Sequence, residues 1–126
     1  HRQSLVAQDR VRLAERALAL GDRIVTRLRA LQARYACIGE VRGLGMMVAM
    51  ELVRNRRADA PDADLTKQLV QAAGRRGLVL LSCGIYSNVI RFLAPLTIGE
   101  QLLDEGLGLL EGALEEVAGA GKRATG

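Results

Sequence analysis

Apolar residues recur over the first third of the chain at Leu13, Ala17, Leu20, Ile24, Leu28, Leu31 and Tyr35, in steps of 4, 3, 4, 4, 3 and 4. That spacing keeps one face of a helix apolar and predicts a helix starting near Ser4 and running about thirty residues, long for so small a chain. Gly21 falls inside it, costs roughly 1 kcal/mol against Ala, and predicts a slight bend or a close contact there. The first two turns, SLVAQDRV, are expected to rest on something outside this chain.

The period then changes. In ACIGEVRGLGMMVAMELV, Gly39, Gly43 and Gly45 interrupt the start before an alternating run, Met46 to Val53, in which Val48, Met50 and Leu52 share a face. Two strands, or one strand with a glycine bulge, follow from this. The Gly-Leu-Gly triplet does not read as a phosphate loop, because it lacks a third glycine and leads into a strand rather than a helix. RNRRADAPDAD, residues 54–64, is the most polar segment and predicts a surface loop. A second helix follows with Asp62 or Asp64 as N-cap, Leu65, Leu69 and Ala72 or Ala73 inward, Arg75 and Arg76 in the last turn, and Gly77 just past the end.

Leu78 to Leu81 and Val89 to Leu93 read as two strands around a small polar loop, Ser82 to Asn88, with Pro95 closing the second. Thr97 and Glu100 have capping-box spacing before a last helix with Leu103, Leu107, Leu110, Leu114 and Val117 on one face. Its glycines, Gly99, Gly106, Gly108 and Gly112, predict a helix pressed onto a sheet. The expected fold is α+β, a small antiparallel sheet with helices packed on one face. The organisation expected is a long N-terminal helix over 1–35, an α+β body over 36–118 and a disordered tail over 119–126.

Composition narrows the chemistry. The chain has 126 residues and a net charge of +4, with no Trp and only Tyr35, Tyr86 and Phe92 as aromatics, too few stacking platforms for a nucleic-acid module. The arginines of the first helix, Arg10, Arg12, Arg16, Arg23, Arg27, Arg29 and Arg34, read as a solvated face. Cys37 and Cys83 lack CxxC spacing and the single His is His1, so no metal constellation can be assembled, and free thiols in a reducing cytoplasm fit best. No stretch approaches the ~20 apolar residues of a membrane span. The chain opens on His1 rather than Met, which predicts a processed, tagged or excised chain.

Arg91 poses the functional question. Period two puts it on the face of Val89 and Leu93, and a buried guanidinium left unpaired costs about 3–5 kcal/mol, so it predicts either an internal carboxylate, such as Glu51, or an external anion. Glu40 and Glu51 are too generic to form a recognisable acid and base pair, and Ser82 and Cys83 have no His to activate them. No self-sufficient active site is legible.

Two blocks, IGEVRGLGMMVAMELV (38–53) and RGLVLLSCGIYSNVIRFLAPLTI (76–98), resemble the C-terminal segment of class III pyridoxal-phosphate-dependent aminotransferases, in particular those acting on 4-aminobutyrate. The resemblance extends from about Ala14 to Val117. It implies the small C-terminal domain of a fold type I enzyme, a cytoplasmic homodimer that moves an amino group from an omega-amino acid such as 4-aminobutyrate to 2-oxoglutarate, without nucleic acid or membrane as partner. Pyridoxal 5'-phosphate would be bound mainly by a large domain that carries the Schiff-base lysine. Lys67 and Lys122 match no such lysine, so this chain alone is expected to be inactive. By the same resemblance Arg91 receives the substrate carboxylate, Arg42, Gly43 and Gly45 have a structural role in a turn, and Ser82, Cys83, Gly84, Tyr86 and Asn88 belong to a loop at the site mouth. Ile85 stands where many relatives have Pro. The alternative is a free-standing regulatory module that binds an amino acid or another small anion through Arg91.

Overall fold

The structure, a computed structural model, describes residues 2–44, 47–93 and 97–119. Helix α1 (Arg2–Arg34) leads into strands β1 (Ile38–Leu44) and β2 (Met47–Arg54), then β3 (Arg57–Pro61), helix α2 (Ala63–Arg75), strands β4 (Leu81–Cys83) and β5 (Val89–Leu93), and helix α3 (Glu100–Ala118). The sheet order is β1-β2-β5-β4, with β3 paired to the end of β2, and every pairing is antiparallel.

The alternation in β2 carries the fold. Val48, Met50 and Leu52 are fully buried on the helix side, where they meet Ile38, Val41 and Ile90 from the neighbouring strands. Leu20, Ile24, Leu28 and Leu31 of α1, Leu65 and Leu69 of α2, and Leu107, Leu110 and Leu114 of α3 cover that side. Burying a Leu or Ile contributes about 1.5–3 kcal/mol, so this layer dominates stability. Among the described residues no helix covers the other sheet face.

Several expectations are corrected. α1 begins at Arg2 rather than Ser4, and Leu13, expected on its inner face, is half-exposed, as are Leu5, Val6, Val11 and Leu18; the buried stripe starts at Leu20. The loop expected over 54–64 contains β3, joined to β2 through Asn55 and Arg56, both with positive φ. A two-residue turn of that hand matches the twist of a hairpin, and Asn tolerates it better than most residues. The strand expected at Leu78–Leu81 is displaced, so that Ser82 and Cys83, expected in the loop, belong to β4. β5 has the expected bounds.

Asp62 is the N-cap of α2, accepting from the Leu65 amide at 3.0 Å. Beyond its C-terminus Gly77 has φ +86°, and the Leu78 amide returns to the Ala73 carbonyl at 2.9 Å, which closes a Schellman motif. The capping box does not form: Gly99 is the N-cap of α3, without a side-chain cap bond, and Thr97 lies in the preceding turn. Nor do the glycines of α3 press on the sheet. A Cβ at Gly99, Gly106 or Gly108 would meet nothing within 4 Å, and one at Gly112 would meet Arg76, 3.2 Å away at Nε. The expected tail, apart from Gly119, lies outside the described residues.

The arginine face of α1 is only partly solvated. Arg23 forks onto Asp104 (2.9 and 2.6 Å), and Arg27 and Arg34 both hold Glu111 (2.9 and 2.6 Å). Arg75 and Arg76 hold Glu116, and the Tyr35 hydroxyl hydrogen-bonds Glu115. One face of α3 is thus tied to both other helices.

Candidate carboxylate site on the open sheet face

The sheet's register builds one transverse row on the uncovered face. Ala49 of β2 stands opposite Arg42 of β1 on one side and Arg91 of β5 on the other, and Arg91 stands opposite Leu81 of β4. The neighbouring rows add Met47 beside Leu93, and Glu51 beside Val89 and Cys83. Arg42, Met47, Ala49, Cys83, Val89 and Arg91 line a shallow groove of 460 Å³. The small Ala49 leaves room between the two guanidinium stems.

Arg91 lies as period two predicts, with Val89 and Leu93, but that face is exposed. The expectation of a buried charge is therefore not met among the described residues, and Glu51, the internal partner considered, is bound to a different arginine. Arg42 Nη1 donates to Glu51 Oε2 at 2.5 Å and to Glu40 Oε2 at 3.0 Å. The bond to Glu51, chiefly, raises the Arg42 pKa above its ordinary value, so the cation is permanent. Among the described residues Arg91 makes no hydrogen bond or ion pair. A planar donor fork with apolar neighbours and no internal acceptor suits a carboxylate.

The other expected residues separate. Arg42 belongs to a strand and faces the groove, not a turn. Gly43 likewise lies in β1 rather than a turn: a Cβ there would fall 2.6 Å from Val25 Cγ2, so α1 packs directly on its backbone. Gly45 lies outside the described residues. Ser82 and Cys83 are strand residues, and Gly84, with φ +90°, and Tyr86 form an exposed loop beside the groove. Asn88 is buried, not at a mouth. Its Nδ2 donates to the Leu52 carbonyl at 3.0 Å and its own carbonyl accepts from the Leu52 amide at 2.8 Å, which clamps the loop to β2. Reading the sequence missed the Arg42–Glu51 pair. The pair depends on the β1–β2 register, which sets Arg42 opposite Ala49 and one row from Glu51.

The family model for "Aminotransferase class-III" matches residues 2–114. The chain belongs to the class III aminotransferases. It is 47% identical over 107 residues to the 5-aminovalerate aminotransferase DavT of Pseudomonas aeruginosa, covering 85% of this chain and 25% of that protein. It is 47% identical over 98 residues to a 4-aminobutyrate aminotransferase of Mycobacterium tuberculosis, covering 78% of this chain and 22% of the relative. A Bacillus anthracis aminotransferase of known structure superposes with a TM-score of 0.78 at 26% identity, over 90% of this chain and 26% of that one. The chain thus spans about a quarter of the length of the relatives it matches.

Class III membership implies pyridoxal phosphate, and the residues here do not fit its attachment. Among the described residues the only lysine is Lys67, exposed on α2 in the helix layer behind the sheet, so the open face presents no amine beside Arg91. No group of three or more His, Cys, Asp or Glu suited to a metal, and no helix long and apolar enough to cross a membrane, occurs among the described residues.

Proposed function

We propose that this chain is the C-terminal part of a pyridoxal-phosphate-dependent aminotransferase that moves an amino group from an omega-amino acid, such as 4-aminobutyrate or 5-aminovalerate, to 2-oxoglutarate. Residues 36–118 form its small domain, with 1–35 leading into it, in a cytoplasmic homodimer. The observation that carries this reading is the unpartnered Arg91 in the centre of an uncovered sheet face, in a chain that belongs to class III.

The cofactor supplies the electron sink for the chemistry, held by the part of the protein outside this chain. What these residues contribute is recognition. Arg91 presents two parallel N–H donors, so it fixes both the position and the plane of the acceptor's carboxylate, and through it the orientation of the adjoining carbon. Exposed Met47, Leu81 and Leu93 around it, and Ile85 and Tyr86 on the adjacent loop, form an apolar surface suited to burial under the remaining three quarters of the protein. That closure would remove water from the groove and strengthen the ion pair with substrate.

In the full-length enzyme, Arg91→Lys is expected to slow the half-reaction with 2-oxoglutarate about ten- to hundredfold, the worth of a charge-assisted bidentate contact. The thermal midpoint should barely move, since among the described residues the side chain makes no hydrogen bond or ion pair. Stopped-flow measurement of that half-reaction checks it; an unchanged rate removes Arg91 from the substrate site.

A further inference from the structure

The apolar pattern of β5 leaves its register open. In VIRFL, Val89 and Leu93 stand on one face and Ile90 and Phe92 on the other, so both faces are apolar apart from Arg91. The arginine resists burial and so opposes a slip of one residue, which would turn it to the helices. A slip of two residues keeps its face but moves the guanidinium along β2 by ~7 Å, two rises of a strand.

The residue that distinguishes these registers lies just before the strand. β2 and β5 pair from Met47 with Leu93 to Glu51 with Val89, and the ladder continues into Asn88, whose carbonyl accepts from the Leu52 amide at 2.8 Å. The Leu52 carbonyl accepts from two donors, Asn88 Nδ2 at 3.0 Å and the Asp62 amide at 3.0 Å. Asp62 is the N-cap of α2, and its own carbonyl accepts from the Thr66 hydroxyl at 2.8 Å. Asn88 and Thr66 are both buried, and both belong to this junction of β2, β5 and α2. Moved to another rung, the Asn88 amide would lose its acceptor while still buried, a loss that opposes the slip. A single buried Asn satisfied in one arrangement selects register in the same way between helices.

We propose that Asn88 is a positioning residue for carboxylate recognition: its bond to the Leu52 carbonyl locks β5 in register on β2, and so fixes where Arg91, three residues on, presents its guanidinium. This deepens the reading of Arg91 given above and rests on it. The bond is made within this chain, so it acts whatever else Arg91 meets in the whole protein. Loss of the side chain should loosen the strand rather than unfold the protein. The Leu52 carbonyl keeps the Asp62 amide, and the backbone bond between Leu52 and Asn88 remains.

The test uses the full-length holoenzyme and stopped-flow second-order rate constants for its two half-reactions, with 2-oxoglutarate and with 4-aminobutyrate or 5-aminovalerate as donor. Asn88→Ala is expected to lower the constant for 2-oxoglutarate about tenfold, the scale on which a small misplacement of a binding group acts. The constant for the donor should stay within threefold. Asn88→Ser, whose hydroxyl is too short for the bond, should show the same bias and guards against failure of the Ala variant to fold. In an Arg91→Ala background, Asn88→Ala should change the 2-oxoglutarate constant less than twofold, since a residue that acts through Arg91 then has nothing to act on.

Equal losses in both half-reactions overturn the proposal, because they mark general damage to the site. So does an unchanged constant for 2-oxoglutarate, or a further tenfold loss in the Arg91→Ala background. Failure of both Asn88 variants to form holoenzyme overturns it as well, since the bond would then serve the fold and not the placement of one arginine. Arg91→Ala alone separates the two levels. A parental rate with 2-oxoglutarate removes Arg91 from the substrate site, and this proposal with it; a slow Arg91→Ala beside a parental Asn88→Ala removes only the role of Asn88.

Discussion

Gly43 shows how one residue can serve a site without touching a ligand. The sheet backbone and α1 meet there with no side chain between them, and a Cβ would stand 2.6 Å from Val25 Cγ2. Val is stiff about χ1, so the helix itself would have to move, against the core beneath it. Gly43→Ala is expected to destabilise the protein by about 1–3 kcal/mol, and adding Val25→Ala should recover much of that loss. Chemical denaturation of the two variants checks this; a double variant no more stable than Gly43→Ala would place the strain elsewhere. At this scale the sequence was partly legible. Arg91 stood out because a charge inside an apolar strand is rare, and the face it shares with Val89 and Leu93 followed from period two. Its exposure did not follow, because burial of one sheet face and not the other depends on where the helices come to rest. Asn88 was misplaced for a related reason: a polar residue in a loop reads as surface until a partner such as the Leu52 carbonyl is brought within 3.0 Å of it.

The elements themselves were set by periodicity, and their errors lie where a weak local signal competed with pairing. β3 is short, polar and mostly exposed, so no apolar alternation announces it; pairing with the end of β2 through the Asn55–Arg56 turn makes it a strand. The helix faces held from Leu20 onward, yet the polar faces carried information of their own. Glu111 lies between Arg27 and Arg34, and those hydrogen bonds, Arg27 first, hold its pKa below the ordinary 4.5. Asp104 is lowered in the same way by Arg23, and Glu116 by Arg76 and Arg75. A carboxylate whose folded pKa is depressed contributes stability that is fully present above its unfolded value and is lost as pH falls through the folded one. The thermal midpoint should therefore be level from about pH 7 to 5 and decline below that. Glu111→Gln should be less stable than the parent at neutral pH, with the gap closing in acid as pH falls through the depressed folded pKa and the parent's carboxyl is protonated. A gap that persists in acid would assign the loss to packing rather than to the ion pairs.

At the scale of the whole chain, the decisive property is that none of the described helices covers one sheet face, which carries both the apolar rim and Arg91. If the cofactor belongs to the remainder of the protein, borohydride reduction of the native enzyme should fix a pyridoxyl group to a lysine outside these 126 residues. Peptide mapping of the reduced protein checks it, and an adduct on Lys67 would contradict the division of labour proposed here. The α+β class, the three helices, the buried side of β2, the β5 strand and the resemblance to class III aminotransferases were all determined by the sequence itself, because they rest on local spacing and contiguous motifs. The open face, and the row that sets Arg42 and Arg91 on either side of Ala49, were decided only by the tertiary structure. They depend on register between strands far apart in the chain, which no local signal announces.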